Sequence, residues 1–302
     1  MAEHHHHRHD HDHLHGEHHH APAPRGALWT AALATVGFAV VEALGGWWTG
    51  SLALLSDAGH MVTDGAALAL GALAAWMARQ PPSERHSYGL GRAEVVAALL
   101  NAAAMLIIVI ALAYEAFSRL KSPTVVNGLA AAVIAAAGLV LNLWIMRRLH
   151  SHDMNTRAAR LHVIGDALGS VAALAAGVVI AFSGWTLIDP IASLAICVLI
   201  GFSSFGLARE SLHALMEGVP HGLSVEAIGS EMASIDGVLS VHDLHVWTLS
   251  GSRTALSAHV LVHSLGQWER LRMELQGRLH EKFGIDHVTL QPESATRPLV
   301  RH

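Results

Sequence analysis

Six long apolar segments limit what this chain can fold into. Each is close to the length of about 20 residues that a helix needs to cross the roughly 30 Å hydrocarbon layer of a bilayer. Hydrocarbon offers no water to the backbone, so such segments cross it as helices. The predicted spans are Ala27–Trp48, Leu52–Met77, Ala93–Phe117, Val125–Met146, Ala158–Phe182 and Trp185–Leu207. We therefore predict an α-helical membrane protein with six transmembrane helices in a lipid bilayer.

Composition and the placement of tryptophan agree with membrane spans. Only 14% of the residues are charged, whereas roughly 25% is typical of soluble domains. Amphipathic indole rings settle at membrane–water interfaces, and a large soluble helical core would not place them at segment ends. The tryptophans near span ends are Trp29, Trp47, Trp48, Trp76, Trp144 and Trp185.

Basic residues in the short loops predict the orientation. Cytoplasmic loops are enriched in Lys and Arg. Nine arginines lie on the side of the N-terminus, and two basic residues lie on the opposite side. The first set is Arg8, Arg25, Arg79, Arg85, Arg92, Arg147, Arg148, Arg157 and Arg160, and the second is Arg119 and Lys121. This bias places both termini in the cytoplasm. The expected location is the cell inner (plasma) membrane.

The first twenty residues hold eleven of the 25 histidines. Such a tract cannot bury an apolar core, so residues 1–26 are expected to be a disordered cytoplasmic tail. Short His-rich tracts are typical of metal binding, although a solvated tail without a role has the same composition.

The pattern changes beyond the membrane region, which we place at residues 27–210. Residues 211–295 predict a small cytoplasmic α+β domain with helices on one face of a sheet, and 296–302 form a C-terminal tail. Gly284 predicts the end of its second helix. The predicted order is helix Val225–Ile235, strand Val238–Leu249, strand Ala255–Val262, helix Gln267–Phe283 and strand His287–Gln291.

Ionisable residues interrupt two of the apolar segments at helical spacing. His60 and Asp64 lie four residues apart in the second span, and His162 and Asp166 repeat this spacing in the fifth. A charge at the bilayer centre costs at least ~2.5–3.5 kcal/mol, so unpaired groups here are improbable. A divalent cation satisfies all four, and nitrogen and oxygen ligands without thiolate suit zinc better than Cu(I). Interhelical His–Asp hydrogen bonds are the structural alternative.

Other polar residues also lie within or beside the spans. Asp57 shares the stripe of His60 and is a candidate for lining the transport route or receiving a proton. Asn101 and Asn142 are typical of polar contacts between membrane helices. Asp189-Pro190 predicts a bend early in the sixth span.

Several long motifs resemble the cation diffusion facilitator family of metal–proton antiporters, in its zinc-transporting form. They are SLALLSDAGHMVTDGAALALGALA, RHSYGLGRAEVVAALLNA, LHVIGDALGSVAAL, and EGVP followed by VHDLHVWTLSG. The resemblance implies a homodimer of six-span subunits that exports zinc in exchange for protons. It also implies a ferredoxin-like, metallochaperone-like cytoplasmic domain.

The resemblance assigns candidate ligands. The family's transport ligands map onto His60, Asp64, His162 and Asp166, and histidine at the first position is associated with zinc preference over cadmium. In the loop between the second and third spans, His86 matches one ligand position. Ser83 and Leu90 replace the others, so that loop site is expected to be absent or altered.

The family's regulatory metal ligands map onto His242, His259 and Glu293 in the cytoplasmic domain. Gln291 stands where some members have another histidine, so a site for two metals is in doubt. Strand alternation predicts that His245 faces away from His242 and packs or hydrogen-bonds instead. His221 is a loop candidate without further support.

Three functions compete at this point. The first is a zinc–proton antiporter, or as a variant an exporter of a broader range of zinc, cadmium, cobalt and nickel. The second is a membrane metal sensor that binds metal but does not transport it. An intramembrane metalloenzyme is the poorest, because no His-Glu-x-x-His occurs and four protein ligands leave no open position for water. No basic stripe points to nucleic acid, and the single Cys197 excludes an internal disulfide.

Overall fold

The computed structural model describes residues 25–148, 154–250 and 253–295. The predicted histidine-rich tract and the C-terminal tail at 296–302 lie outside these residues. The predicted spans appear as α1 (Arg25–Thr49), α2 (Leu52–Ala78), α3 (Ala93–Lys121), α4 (Gly128–Arg148), α5 (Met154–Ser183) and α6 (Ile188–Leu215).

The predicted membrane-helix architecture is confirmed. Within the described residues, five helices are long and apolar enough to span a bilayer, and the described apolar part of α1 is Leu33–Thr49. Large apolar side chains point outward from the bundle, with Phe182 90% and Phe202 84% exposed. Apolar surface of this extent fits lipid rather than water. The chain is a multi-pass membrane protein.

Helix α2 has a central place in the bundle, because it packs against α1, α3, α5 and α6. The buried cluster around it is built largely from alanines, among them Ala53, Ala135 and Ala173. The hydrophobic effect does not drive helices together in hydrocarbon, so their association depends on close packing. Small residues allow membrane helices to approach that closely. At Gly177 on α5, an added Cβ would lie 2.7 Å from the backbone nitrogen of Ala132 on α4. The close contact of α4 with α5 therefore depends on glycine there.

The bend expected at Asp189-Pro190 is wrong. Helix α6 begins at Ile188, so both residues lie in its first turn. Proline is tolerated there because the first backbone N–H groups have no partner within the helix.

Asp189 instead caps a different helix. Its carboxylate accepts hydrogen bonds from the Ser51 hydroxyl at 2.6 Å and from the backbone N–H groups of Leu52 at 2.6 Å and Ala53 at 3.3 Å. The Ser51 hydroxyl in turn accepts from the N–H of Leu54. These bonds satisfy the free N–H groups at the start of α2 and join it to α6.

The C-terminal part of the described chain forms the predicted α+β domain. Its elements are α7 (Val225–Ala233), β1 (Val238–Ser250), β2 (Arg253–Val262), α8 (Trp268–Phe283) and β3 (His287–Ser294). The sheet order is β1-β2-β3, with β1–β2 antiparallel and β2–β3 parallel. Gly284 ends α8 in the left-handed conformation with φ 65°, as predicted.

Both helices cover one face of this sheet. Leu271, Leu275 and Leu279 of α8 are fully buried against inward-facing β2 residues such as Ala258 and Val260. The alternate residues of β2 point away from this core and are only half-buried. The opposite face of the sheet is therefore available for polar side chains.

The loop between α2 and α3 contacts the cytoplasmic domain. Arg92, at the end of this loop, forms an ion pair with Glu217 at 3.0 Å. The rings of Tyr88 and His287 form a T-shaped contact with their centroids 5.7 Å apart. These contacts connect the loop between α2 and α3 to the α+β domain.

Substitution of Asp189 tests the cap on α2. Asp189→Ala should destabilise the protein by about 0.5–2 kcal/mol, the usual cost of losing a helix cap. Asp189→Asn keeps an acceptor oxygen and should lose less. The measurement is the thermal unfolding temperature in detergent, with Asp236→Ala in an exposed cytoplasmic turn as the control. Equal unfolding temperatures for Asp189→Ala and the parent would contradict the assignment.

Candidate metal centre

Two packed helices bring the membrane candidates together. His60 and Asp64 lie one turn apart on α2, and Asp166 lies on α5, which contacts α2. One possible ligand atom from each of the three lies within 4.8 Å of the others.

The imidazole of His60 lies between the two carboxylates. Its Nδ1 is 3.4 Å from Oδ2 of Asp64, and its Nε2 is 3.5 Å from Oδ1 of Asp166. The side chains of His60, Asp64 and Asp166 are 19%, 17% and 2% exposed. The group is thus enclosed by the bundle.

His162 lies four residues before Asp166 in α5. Its side chain is outside the part of the chain that the structure describes. Three of the four predicted transport ligands therefore have a described geometry.

The spacing of these atoms suits a small cation. Zinc bonds of about 2.0–2.2 Å place tetrahedral ligand atoms roughly 3.3 Å apart. The separations of 3.4 Å and 3.5 Å between His60 and the two carboxylates are close to this spacing.

Asp57 does not belong to this group of ligand atoms. It is 1% exposed, and its Oδ2 accepts a hydrogen bond from the Ser170 hydroxyl at 3.0 Å. The Asn142 side-chain amide donates to the same hydroxyl at 3.3 Å, so Asn142 forms the interhelical contact expected of it. Sequence reasoning missed Ser170, although its position one turn beyond Asp166 was an available signal.

The cytoplasmic candidates meet on the outer face of the sheet. His242 on β1 is directly opposite His259 on β2, and their ring centroids are 5.4 Å apart. Glu293 on β3 joins both: Oε2 lies 3.0 Å from Nε2 of His242, and Oε1 lies 2.7 Å from Nδ1 of His259. Among the described residues, this is the second group of three that could hold a metal ion.

The expectation that His245 faces away from His242 is wrong. A β-bulge between them makes His242 oppose His259 and His245 oppose Ser257, two residues away on β2, so both histidines lie on the same face. The irregularity is at Asp243, which has a positive φ of 50°. Aspartate tolerates this conformation better than most residues, but alternation along a sequence does not reveal it.

Asp243 contacts two of these histidines, which the sequence did not predict. Its Oδ1 lies 2.9 Å from Nε2 of His245, and its Oδ2 lies 3.7 Å from Nε2 of His259. The hydrogen bond with His245 holds the pKa of Asp243 below its usual range. Hydrogen bonds with His259 and, to a smaller extent, with His242 lower the pKa of Glu293. Both carboxylates are therefore ionised at neutral pH, the form that binds metal.

The weaker candidates lack such partners. His86 lies in the loop between α2 and α3 and, within the described residues, belongs to no group of three possible ligands. His221 stacks against His213 with ring centroids 5.5 Å apart. His86 and His245 line the same cavity of about 1020 Å³ between the membrane and cytoplasmic domains.

Comparison with known proteins accounts for nearly the whole described chain. A profile of the cation efflux transmembrane domain matches residues 28–216, and one of the cation efflux protein cytoplasmic domain matches residues 220–295. The chain belongs to the cation efflux family. This confirms the resemblance to cation diffusion facilitators.

Relatives within the cation efflux family are similar along most of their length. "Zinc transporter ZitB" of Escherichia coli (strain K12) is 40% identical over 86% of this chain and 84% of that protein. "Cadmium, cobalt and zinc/H(+)-K(+) antiporter" of Bacillus subtilis (strain 168) is 37% identical, covering 85% of each. The solved metal-bound C-terminal domain of the CzcD transporter from Cuprividus metallidurans is 32% identical over 24% of this chain and 99% of that chain, with a TM-score of 0.23.

Removing the Glu293 carboxylate tests the cytoplasmic site. Glu293→Gln should weaken zinc binding there by at least about tenfold, because it removes an anionic ligand that contacts both histidines. The measurement is zinc titration against a chelator dye, in chains that lack the histidine-rich residues 2–20. The affinity of the cytoplasmic site should fall, and the affinity of the membrane site should stay unchanged. Glu269→Gln, which breaks an exposed ion pair with Arg272, is the matched control. Identical titrations for Glu293→Gln and the control would remove Glu293 from the site.

Proposed function

We propose that this protein is a zinc–proton antiporter that exports Zn²⁺ from the cytoplasm. The observation that carries the proposal is the enclosed group of one imidazole and two carboxylates from α2 and α5 inside a membrane bundle. His60, Asp64, His162 and Asp166 are the proposed transport ligands. Relatives named as zinc transporters and as an antiporter support this choice over an enzyme.

The chemistry of these ligands links zinc to protons. Zinc requires deprotonated carboxylates and neutral imidazoles, so metal and protons compete for one site. When the site faces the cytoplasm, zinc binds and protons leave. When it faces the more acidic side, protons rebind and zinc departs. Alternation between these states makes the proton gradient the energy source.

The proposed arrangement in the cell follows the basic-residue bias. Both termini and the domain at 211–295 lie in the cytoplasm, and the six helices of 27–210 cross the inner membrane. The protein acts as a homodimer, in which each subunit carries its own transport site. The match to the family's cytoplasmic domain supports this assembly.

Zinc is also the proposed regulatory ligand of the cytoplasmic domain. His242, His259 and Glu293 are its ligands, and binding shifts the dimer toward whichever arrangement holds the metal more tightly. His86 remains a weaker candidate ligand in the loop. A sensor that binds metal without moving it has the same ligands, so zinc flux into vesicles separates the two functions.

Loss of a membrane carboxylate tests the transport site. Asp64→Ala or Asp166→Ala should abolish zinc flux into proteoliposomes, because each removes a ligand from the enclosed group. The variants should still form a folded dimer by size-exclusion chromatography. Asp236→Ala should transport like the parent. Near-normal flux in either membrane variant would refute the assignment.

Selectivity is expected to depend on His60. His60→Asp replaces an imidazole, which suits zinc, with a harder carboxylate that can bind through one oxygen or two. The variant should keep zinc transport and admit cadmium. The measurement is competitive flux of zinc and cadmium in the same vesicles. Indistinguishable cadmium-to-zinc ratios for parent and variant would show that His60 does not set selectivity.

A further inference from the structure

Glu42 is an ionisable residue that the transport site does not use. It lies on α1 and is 0% exposed. Neither of its carboxylate oxygens has a hydrogen-bond partner among the described residues. A carboxylate buried in a membrane bundle without a partner marks a functional group more often than a structural one.

The groups that face Glu42 are themselves acidic. Helix α1 packs against α2 and α4. Asp57 on α2 and Asp166 on α5 both lie within electrostatic range of Glu42, and α4 carries no titratable side chain before Arg147. No basic side chain is paired with Glu42 in the described part of the chain.

Two glycines leave room for these carboxyl groups. A Cβ added at Gly138 on α4 would lie 2.7 Å from Oε1 of Glu42. A Cβ added at Gly169 on α5 would collide with Oδ1 of Asp57. The bundle is thus shaped around both carboxyl groups, and the Ser170–Asn142 hydrogen bonds hold Asp57 in its place.

The position of Glu42 relative to the metal group follows from the helices. Glu42 lies toward the end of α1, and Asp57 lies toward the start of α2, so both are near the α1–α2 turn. His60 and Asp64 lie further along α2. Glu42 is seven residues from the end of α1 and His60 is eight residues from the start of α2, so in the proposed orientation Glu42 lies near the depth of His60 and on the extracytoplasmic side of Asp64.

An enclosed carboxylate beside other carboxylates needs a cation. A proton is the smallest cation and needs no set of ligands. Zinc at the neighbouring site adds positive charge next to Asp166, which favours release of a proton from Glu42. Departure of zinc restores the negative charge and favours rebinding.

We propose that Glu42 is a second proton-carrying position of the transporter, separate from the metal ligands. Its carboxylate takes a proton from extracytoplasmic water, forming an O–H bond, as zinc leaves. The bond breaks as the next zinc binds, and the proton passes to water on the cytoplasmic side. This inference rests on the proposed antiport function.

Glu42→Gln tests it, because the amide keeps the size of the side chain but cannot exchange a proton. Full-length protein in vesicles is assayed for zinc uptake driven by a pH gradient and for zinc–zinc exchange at equal pH, which needs no net proton movement. We expect gradient-driven uptake to fall by about tenfold or more. Exchange should stay within about twofold of the parent, because the metal ligands are intact.

The matched control is Glu115→Gln on α3, whose carboxylate is 46% exposed and paired with Arg119. It should leave both assays unchanged. Absence of gradient-driven uptake in the parent would overturn the antiport function itself.

Parent-like gradient-driven uptake in Glu42→Gln would overturn the proposal and make Glu42 a permanently protonated structural group. Loss of both assays in a folded variant would also overturn it, because Glu42 would then belong to the zinc path. If Glu42→Gln fails to fold, Gly138→Ala displaces the carboxyl group without replacing it. Gly138→Ala should reduce uptake and spare exchange, and unchanged uptake would overturn the proposal.

Discussion

The enclosed charges of the membrane bundle determine much of its design. A charged group in hydrocarbon is costly unless an opposite charge or hydrogen bonds compensate it. His60 lies between Asp64 and Asp166 in this bundle. In the proposed function, a divalent cation neutralises the carboxylates, and protons replace it when it leaves. The competition that drives antiport is thus a direct consequence of placing these groups away from water.

The same constraint explains how α2 is held. Asp189 of α6 caps the first N–H groups of α2. The hydroxyl of Ser56 on α2 also forms a 2.6 Å hydrogen bond with the hydroxyl of Ser193 on α6. On the other side, Asp57 accepts from Ser170 of α5. These polar groups therefore form hydrogen bonds between helices. The alanines let the helices pack closely enough for those hydrogen bonds to form. The helix that carries His60 and Asp64 is fixed by partners on two neighbours.

The cytoplasmic site follows different physics. Its carboxylates face water on the outer side of a sheet whose inner side is covered by α7 and α8. Hydrogen bonds from imidazoles keep Glu293 and Asp243 ionised, so they stay ready to bind a cation without the large desolvation cost of the membrane site. In the proposed function, such a site responds to zinc in the cytoplasm.

The sequence by itself predicted the spans, the α+β domain and the two His-x-x-x-Asp pairs, because length, apolar content and helical periodicity are local properties. Motif resemblance added His242, His259 and Glu293 as candidate ligands, which the structure brings together. The sequence did not reveal that Asp189 caps α2, that Ser170 holds Asp57, or that Glu42 comes near Asp57 and Asp166. Those contacts join residues far apart in the chain, and only helix packing sets them. The bulge at Asp243 turned His245 to the face of the sheet that carries His242 and His259, because an extra residue shifts strand alternation and is visible only in the pairing of β1 with β2.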